Sequence, residues 1–141
     1  MNVVIDASVV VALIVADERQ AVAQAHLTNW LSAGADLHAP AVLPYEVANV
    51  LARLVFDEVL AITDVGVIWD DLAALGVILH PFDLSSDGRE VANSTMSLRR
   101  RHATDSTYVC LARRLRTSVW TLDAALARNA ADVGLPVQLV A

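Results

Sequence analysis

Five short β-rich runs punctuate this chain: residues 2–5 (NVVI), 36–39 (DLHA), 77–80 (VILH), 118–121 (SVWT) and 137–140 (VQLV). The stretches between them carry apolar residues at helical spacing. This alternation constrains the fold more than any other feature. Strands joined through helices run parallel, and a parallel sheet must be covered on both faces. The expectation is an α/β chain: a Rossmann-like three-layer sandwich with a mostly parallel central sheet flanked by helices. Its 141 residues fit a single domain, 1–141. No repeat, linker or low-complexity tract divides it.

The helices are read from their ends. One is expected from Ser8 to about Val15, and a second from about Glu18 to Leu31, where Asp17 and Gln20 have the spacing of a capping box. Pro44 opens a third through about Glu58, proline being well placed in a first turn. Val47, Val50, Leu51, Leu54 and Val55 form its apolar stripe, with Glu46, Asn49 and Arg53 along one edge. A fourth runs from about Asp64 to Leu75 and stops at Gly76. Ser85 or Ser86 is expected to cap a fifth, running to about Arg101. A sixth covers Asp105 to Arg116 behind Thr104, a good cap, with Tyr108, Leu111, Ala112 and Leu115 facing inward. A short seventh starts at Ala124 and ends near Gly134.

Four acids fall at the boundaries of these elements: Asp6, Glu46, Asp105 and Asp123. Taken singly, each has a plain reading. Asp6 and Asp123 suit helix N-caps. Glu46 and Asp105 suit the first turn of a helix, where the dipole favours an anion. Ser8 competes with Asp6 for the cap, which would free Asp6. Taken together, the four can converge beyond the carboxyl ends of the strands, where ligands bind in such sheets. Carboxylates brought close repel, and some take up protons unless a cation sits among them. Their hard oxygens suit Mg²⁺, or Mn²⁺ in its place.

Composition narrows the chemistry. The ten basic residues are all arginine, which excludes the phosphate-binding loop that needs a lysine. A net charge of −6 argues against a protein that coats nucleic acid non-specifically. The single cysteine, Cys110, allows no internal disulfide and no cysteine-based zinc site, and it reads as a packed thiol. The apolar run from Val9 to Ala16 is too short to span a bilayer and lacks the basic residues that precede a signal sequence. A cytoplasmic protein with no membrane partner is expected.

At its four acids the chain resembles the PIN-domain ribonucleases, in particular the VapC-like toxins of type II toxin–antitoxin pairs. The segments that carry the likeness are VVIDASVVVAL, PYEVANVL, TDSTYVCLA and TLDAAL, spread over essentially the full length. The resemblance implies a single PIN-like domain and a metal-dependent endoribonuclease that hydrolyses RNA phosphodiester bonds. It implies catalytic roles for Asp6, Glu46, Asp105 and Asp123. Asp6, Asp105 and Asp123 would contact Mg²⁺, Asp6 and Asp105 first among them, while Glu46 and Asp123 would position water or a second ion. Ser8, Asn49 and Thr121 match supporting polar positions. A homodimer and a small cognate antitoxin are further implications. One departure is the Ser-Thr-Tyr sequence after Asp105, where the family more often continues with alanines; altered local packing is expected there.

Arg99, Arg100 and Arg101 form the densest positive run, as RNA phosphate contacts or as cations at a helix carboxyl end. His26, His38, His80 and His102 show no metal-ligand spacing and read as structural or exposed. Trp30, Trp69 and Trp120 read as core or dimer contacts. Asp57, Asp64, Asp70, Asp71, Asp83 and Asp87 read as solvated or capping acids. Two rival readings stand beside the ribonuclease. A haloacid-dehalogenase-type phosphatase also begins with a strand and an aspartate, but it needs a second aspartate where this chain has Ser8, and a lysine. A non-catalytic PIN-like RNA-binding or assembly module would keep the acids as caps or ion holders.

Overall fold

A computed structural model describes all residues, 1–141. The five strands are β1 (Asn2–Ile5), β2 (Asp36–Pro40), β3 (Ile78–His80), β4 (Val119–Thr121) and β5 (Val137–Leu139). The helices are α1 (Ala7–Ile14), α2 (Gln20–Ser32), α3 (Leu43–Phe56), α4 (Val65–Ala74), α5 (Leu84–Ser97), α6 (Thr104–Arg114) and α7 (Ala124–Asp132), with a 3₁₀ turn at Ile62–Asp64. Every strand pair is parallel and the sheet order is β3-β2-β1-β4-β5. The expected α/β sandwich is the one that forms.

The strand order reverses direction at β1. Right-handed crossovers therefore put α1 to α4 on one face and α5 to α7 on the other. The packing agrees: α1 meets α2, α3 and α4, while α5 packs on α6, which lies over β1 and β2. β1 is fully covered, with Val3, Val4 and Ile5 buried, as its unbroken apolar run requires. Edge strand β3 leaves Ile78 and Leu79 exposed. A single core of 26 buried residues runs through both layers. His38 ties three strands together: its Nε2 lies 3.0 Å from Asn2 Oδ1 on β1, and its Nδ1 lies 2.9 Å from His80 Nε2 on β3.

Several helix ends differ from expectation, each for a local reason. The capping box of α2 does not form. Asp17 turns its carboxylate onto the Arg19 amide at 2.8 Å, and the helix starts only at Gln20. α5 is capped by Asp83, which accepts from the amides of Ser85 and Ser86, so neither serine is the cap. The same helix stops at Ser97 instead of Arg101, because Arg99 takes a left-handed φ of 56°. Thr104 does not cap α6; the cap is Ala103, with no side-chain bond. Asp87, expected as a solvated or capping acid, is a capping one: its Oδ2 accepts the Asp83 amide at 2.9 Å, and the side chain is buried beside Arg114 and receives the Cys110 thiol at 3.7 Å. The Cys110 thiol is packed as expected, and burial pushes it up to about 12. Trp30 is buried against half-buried Trp120, and Trp69 packs on the core. No helix is long and apolar enough to cross a membrane.

Candidate metal centre

β1 and β4 are neighbours, and the turns leaving their carboxyl ends carry Asp6 and Asp123. Asp6 is the N-cap of α1: its extended backbone aims Oδ1 at the Val9 amide, 3.2 Å away. Ser8 therefore is not the cap. Its backbone is already inside the helix, and its hydroxyl instead donates to Asp6 Oδ1. Both bonds fall on Oδ1, and Oδ2 takes part in neither. Ser8 Oγ also accepts the Leu122 amide at 2.9 Å, which ties the β1–α1 turn to the β4–α7 turn. Thr121, fully buried, accepts the Asp123 amide at 3.0 Å, and Asp123 caps α7 through the Leu126 amide at 3.0 Å. Two supporting residues expected from sequence thus join the first and last acids. Asn49, the third, is exposed one turn beyond Glu46, outside this network.

Glu46 and Asp105 reach the crevice from the first turns of α3 and α6. Tyr108, one turn after Asp105 and buried, donates its hydroxyl to Glu46 Oε1 at 2.7 Å. The departure in the Ser-Thr-Tyr segment is therefore not only packing. Ser106 is buried and accepts from Thr95 at 2.8 Å, while Tyr108 becomes the partner of a candidate catalytic acid. Sequence reading placed Tyr108 inward but missed this role. The available signal was that a buried tyrosine hydroxyl needs a polar partner.

Arg100 enters the same crevice. Its Nη2 donates to Asp123 Oδ2 at 3.3 Å, and its Nε lies 3.6 Å from Asp105 Oδ2. Arg99 and Arg101 are exposed beside it. The arginine run is thus split, with one member among the acids and two in solvent.

Charge crowding is visible in the carboxyl pKa values. Asp6 is raised, above all by burial, and further by Asp105; hydrogen bonds from Ser8, Thr121 and Val9 pull the other way. Glu46 is raised by burial, then by Asp105 and Asp6, against the Tyr108 bond. Asp105 is raised by burial and by Asp123, against Arg100. Asp105 thus lies close enough to act on Asp6 and Glu46, and Asp123 close enough to act on Asp105.

The donor set suits a hard divalent cation: carboxylate oxygens only, with Asp6 buried and lacking any cationic partner. No three His, Cys, Asp or Glu side chains stand in a ligating cluster, however. At the mouth, Asp105 and Asp123 face the Arg100 guanidinium. The residues fit a metal chemically, and Arg100 stands where two of them would turn to meet it.

No protein-family model matches the sequence, and no curated protein matches it. Among solved structures, the chain is similar to the crystal structure of PAE2754 from Pyrobaculum aerophilum, with a TM-score of 0.65 and 16% identity. The match covers 92% of this chain and 79% of that one. At this identity the likeness concerns the fold alone.

Proposed function

We propose that this protein is a Mg²⁺-dependent endoribonuclease with a PIN-like active site, the toxin of a type II toxin–antitoxin pair. The observation that carries the reading is the approach of Asp6, Glu46, Asp105 and Asp123 from four elements to one crevice, where Arg100 spans Asp105 and Asp123, and where Asp105 bears on both Asp6 and Glu46. A bound Mg²⁺ or Mn²⁺ supplies Lewis-acid charge and an acidified water. Asp6 and Asp105 would hold the ion directly, with Asp123 as a further candidate ligand. Glu46, oriented by the Tyr108 hydroxyl and with its pKa raised by burial, would accept a proton from the attacking water. Attack in line on an RNA phosphodiester breaks the bond to the sugar 3′-oxygen and leaves a 5′-phosphate, as the family resemblance implies. Arg99 and Arg101, exposed on the loop before α6, would meet the RNA backbone in this reading.

The partner part of the reading, a homodimer and a small antitoxin, has support in the exposed apolar side chains of Tyr45, Phe56, Val59, Ile62 and Val67, all more than 60% accessible. Light scattering of the purified chain, alone and with the product of an adjacent small reading frame, tests it.

The decisive test is cleavage of total RNA with Mg²⁺, with Mn²⁺ and with EDTA, beside Asp6→Asn and Asp105→Asn. Discrete fragments that need both metal and the two acids are expected. Metal-dependent cleavage retained by both folded variants rejects this site. A second reading, a non-catalytic RNA-binding or assembly module, has its own support: Arg100 already compensates Asp105 and Asp123. RNA binding without turnover by the metal-loaded protein would favour that module.

A further inference from the structure

Among the arginines, Arg100 alone pairs with two of the four acids. Its position is set by the backbone. Arg99 adopts the left-handed conformation at the end of α5, and the amides of Arg99 and Arg100 close back onto the carbonyls of Met96 and Thr95 at 3.1 Å each. This is the closure that usually employs glycine. It fixes where the Arg100 side chain departs, three-quarters buried, into the crevice mouth.

The contacts made there are imperfect. Nε is buried and has no hydrogen-bond partner, and its 3.6 Å separation from Asp105 is too long for one. The guanidinium is held by charge and not by a matched fork. It faces Oδ2 of Asp105 and Oδ2 of Asp123. A second cation bound to those oxygens would stand within a few ångströms of it, in a partly desolvated setting where like charges repel strongly. Asp6 and Glu46, by contrast, are partnered by neutral hydroxyls, which orient a carboxylate and leave its charge available.

We propose that Arg100 is a built-in counter-ion that competes with the divalent metal. It bridges Asp105 and Asp123 in the metal-free protein and must release both carboxylates for the ion to bind. The inference rests on the metal-dependent reading of the same crevice. It makes Arg100 a device that lowers metal affinity below what the acids alone would give. In exchange, it keeps the crowded acids tolerable when no metal is bound.

Calorimetric titration with Mn²⁺ of the wild type, Arg100→Gln, Arg100→Lys and Arg128→Gln, the last an exposed arginine on α7, tests this, together with thermal unfolding in EDTA and in saturating Mn²⁺. Arg100→Gln should bind Mn²⁺ about 10-fold more tightly, the scale of relieving one like-charge contact. Arg100→Lys should fall between, because it keeps the charge without the span, and Arg128→Gln should match the wild type. In EDTA, Arg100→Gln should melt below the wild type, and saturating Mn²⁺ should close that gap. Unchanged or weaker Mn²⁺ binding by folded Arg100→Gln overturns the proposal, since Arg100 would then be organising the ligands. If the glutamine variant does not fold, the direction of the change in Arg100→Lys decides. A wild type that binds Mn²⁺, shows the Arg100 effect and cuts no RNA keeps the counter-ion and loses the ribonuclease. A wild type that binds no Mn²⁺ removes both.

Discussion

Asp6 is the one buried acid of the crevice, with Glu46, Asp105 and Asp123 half-buried around it. The acids divide by how they are held: Asp6 and Glu46 form an inner pair held by hydroxyls, Asp105 and Asp123 a pair at the mouth held by charge. Asp6 is 6% exposed, whereas the side chains of Asp105 and Asp123 are 28% and 41% exposed. The inner pair is partnered by hydroxyls, from Ser8 and Thr121 on one side and Tyr108 on the other. The outer pair is partnered by a guanidinium. A hydroxyl fixes a carboxylate without cancelling its charge, while an arginine cancels it. The inner half therefore leaves negative charge that a bound cation could meet. The mouth already has its cation in the Arg100 guanidinium.

The sharpest way to break this contrast is to remove one charge from each half. Asp6→Asn keeps the size and the capping oxygen and loses only the charge. Cleavage should fall by roughly 10³-fold, the scale of several kcal/mol of lost metal-borne stabilisation. Asp123→Asn, at the exposed mouth, should lose only about 10-fold. Initial rates on one mapped RNA fragment measure both. Equal losses would mean that inner and outer acids carry the ion alike.

A smaller effect tests how the inner half is held. Tyr108→Phe removes one hydroxyl and leaves the ring to fill its buried site. Metal affinity or cleavage should drop about 10- to 100-fold, the usual consequence of losing a partner that orients a ligand. Stability should fall by only about 1 kcal/mol in chemical denaturation. A large stability loss with unchanged cleavage would make Tyr108 a packing residue and detach Glu46 from the chemistry.

The same division marks what could be read in the sequence. Strand periodicity and the order of elements gave the parallel sheet, because burial on both faces writes itself into runs such as NVVI. Asp6 and Asp123 were legible because they follow strands, and Ser8 and Thr121 because they flank those acids. The mouth was not. Arg100 reaches it only because Arg99 takes a left-handed φ that favours glycine, and no local pattern announces an arginine in that state. Tyr108 was hidden for a different reason: its inward face was legible, but its partner is 62 residues away. The failed caps at Asp17, Ser85 and Thr104 belong with these, since several polar residues compete at each helix start and tertiary geometry chooses among them.

The smallest predicted effect concerns the unmet charge of Asp6 itself. Its carboxyl pKa is raised from an ordinary value of 3.8, chiefly by burial. A folded-state value above the unfolded one means that the folded chain holds the proton more tightly. Between the two values the folded state carries more protons, so stability falls as pH rises through that window and stays reduced above it. His80 acts in the opposite sense, because burial and its neighbours His38 and Arg114 lower its pKa, so a raw melting curve against pH mixes the two. The difference between wild type and Asp6→Asn cancels the histidine and isolates the acid. In EDTA at neutral pH, Asp6→Asn should melt about 3 °C above the wild type, and the gap should close as pH falls toward 3.8. Saturating Mn²⁺ should reverse its sign, since only the wild type gains fully from binding. An Asp6→Asn variant no more stable than wild type in EDTA would show that the hydroxyls of Ser8 and Thr121 already satisfy the charge. The inner half would then make no more demand for a cation than the mouth does.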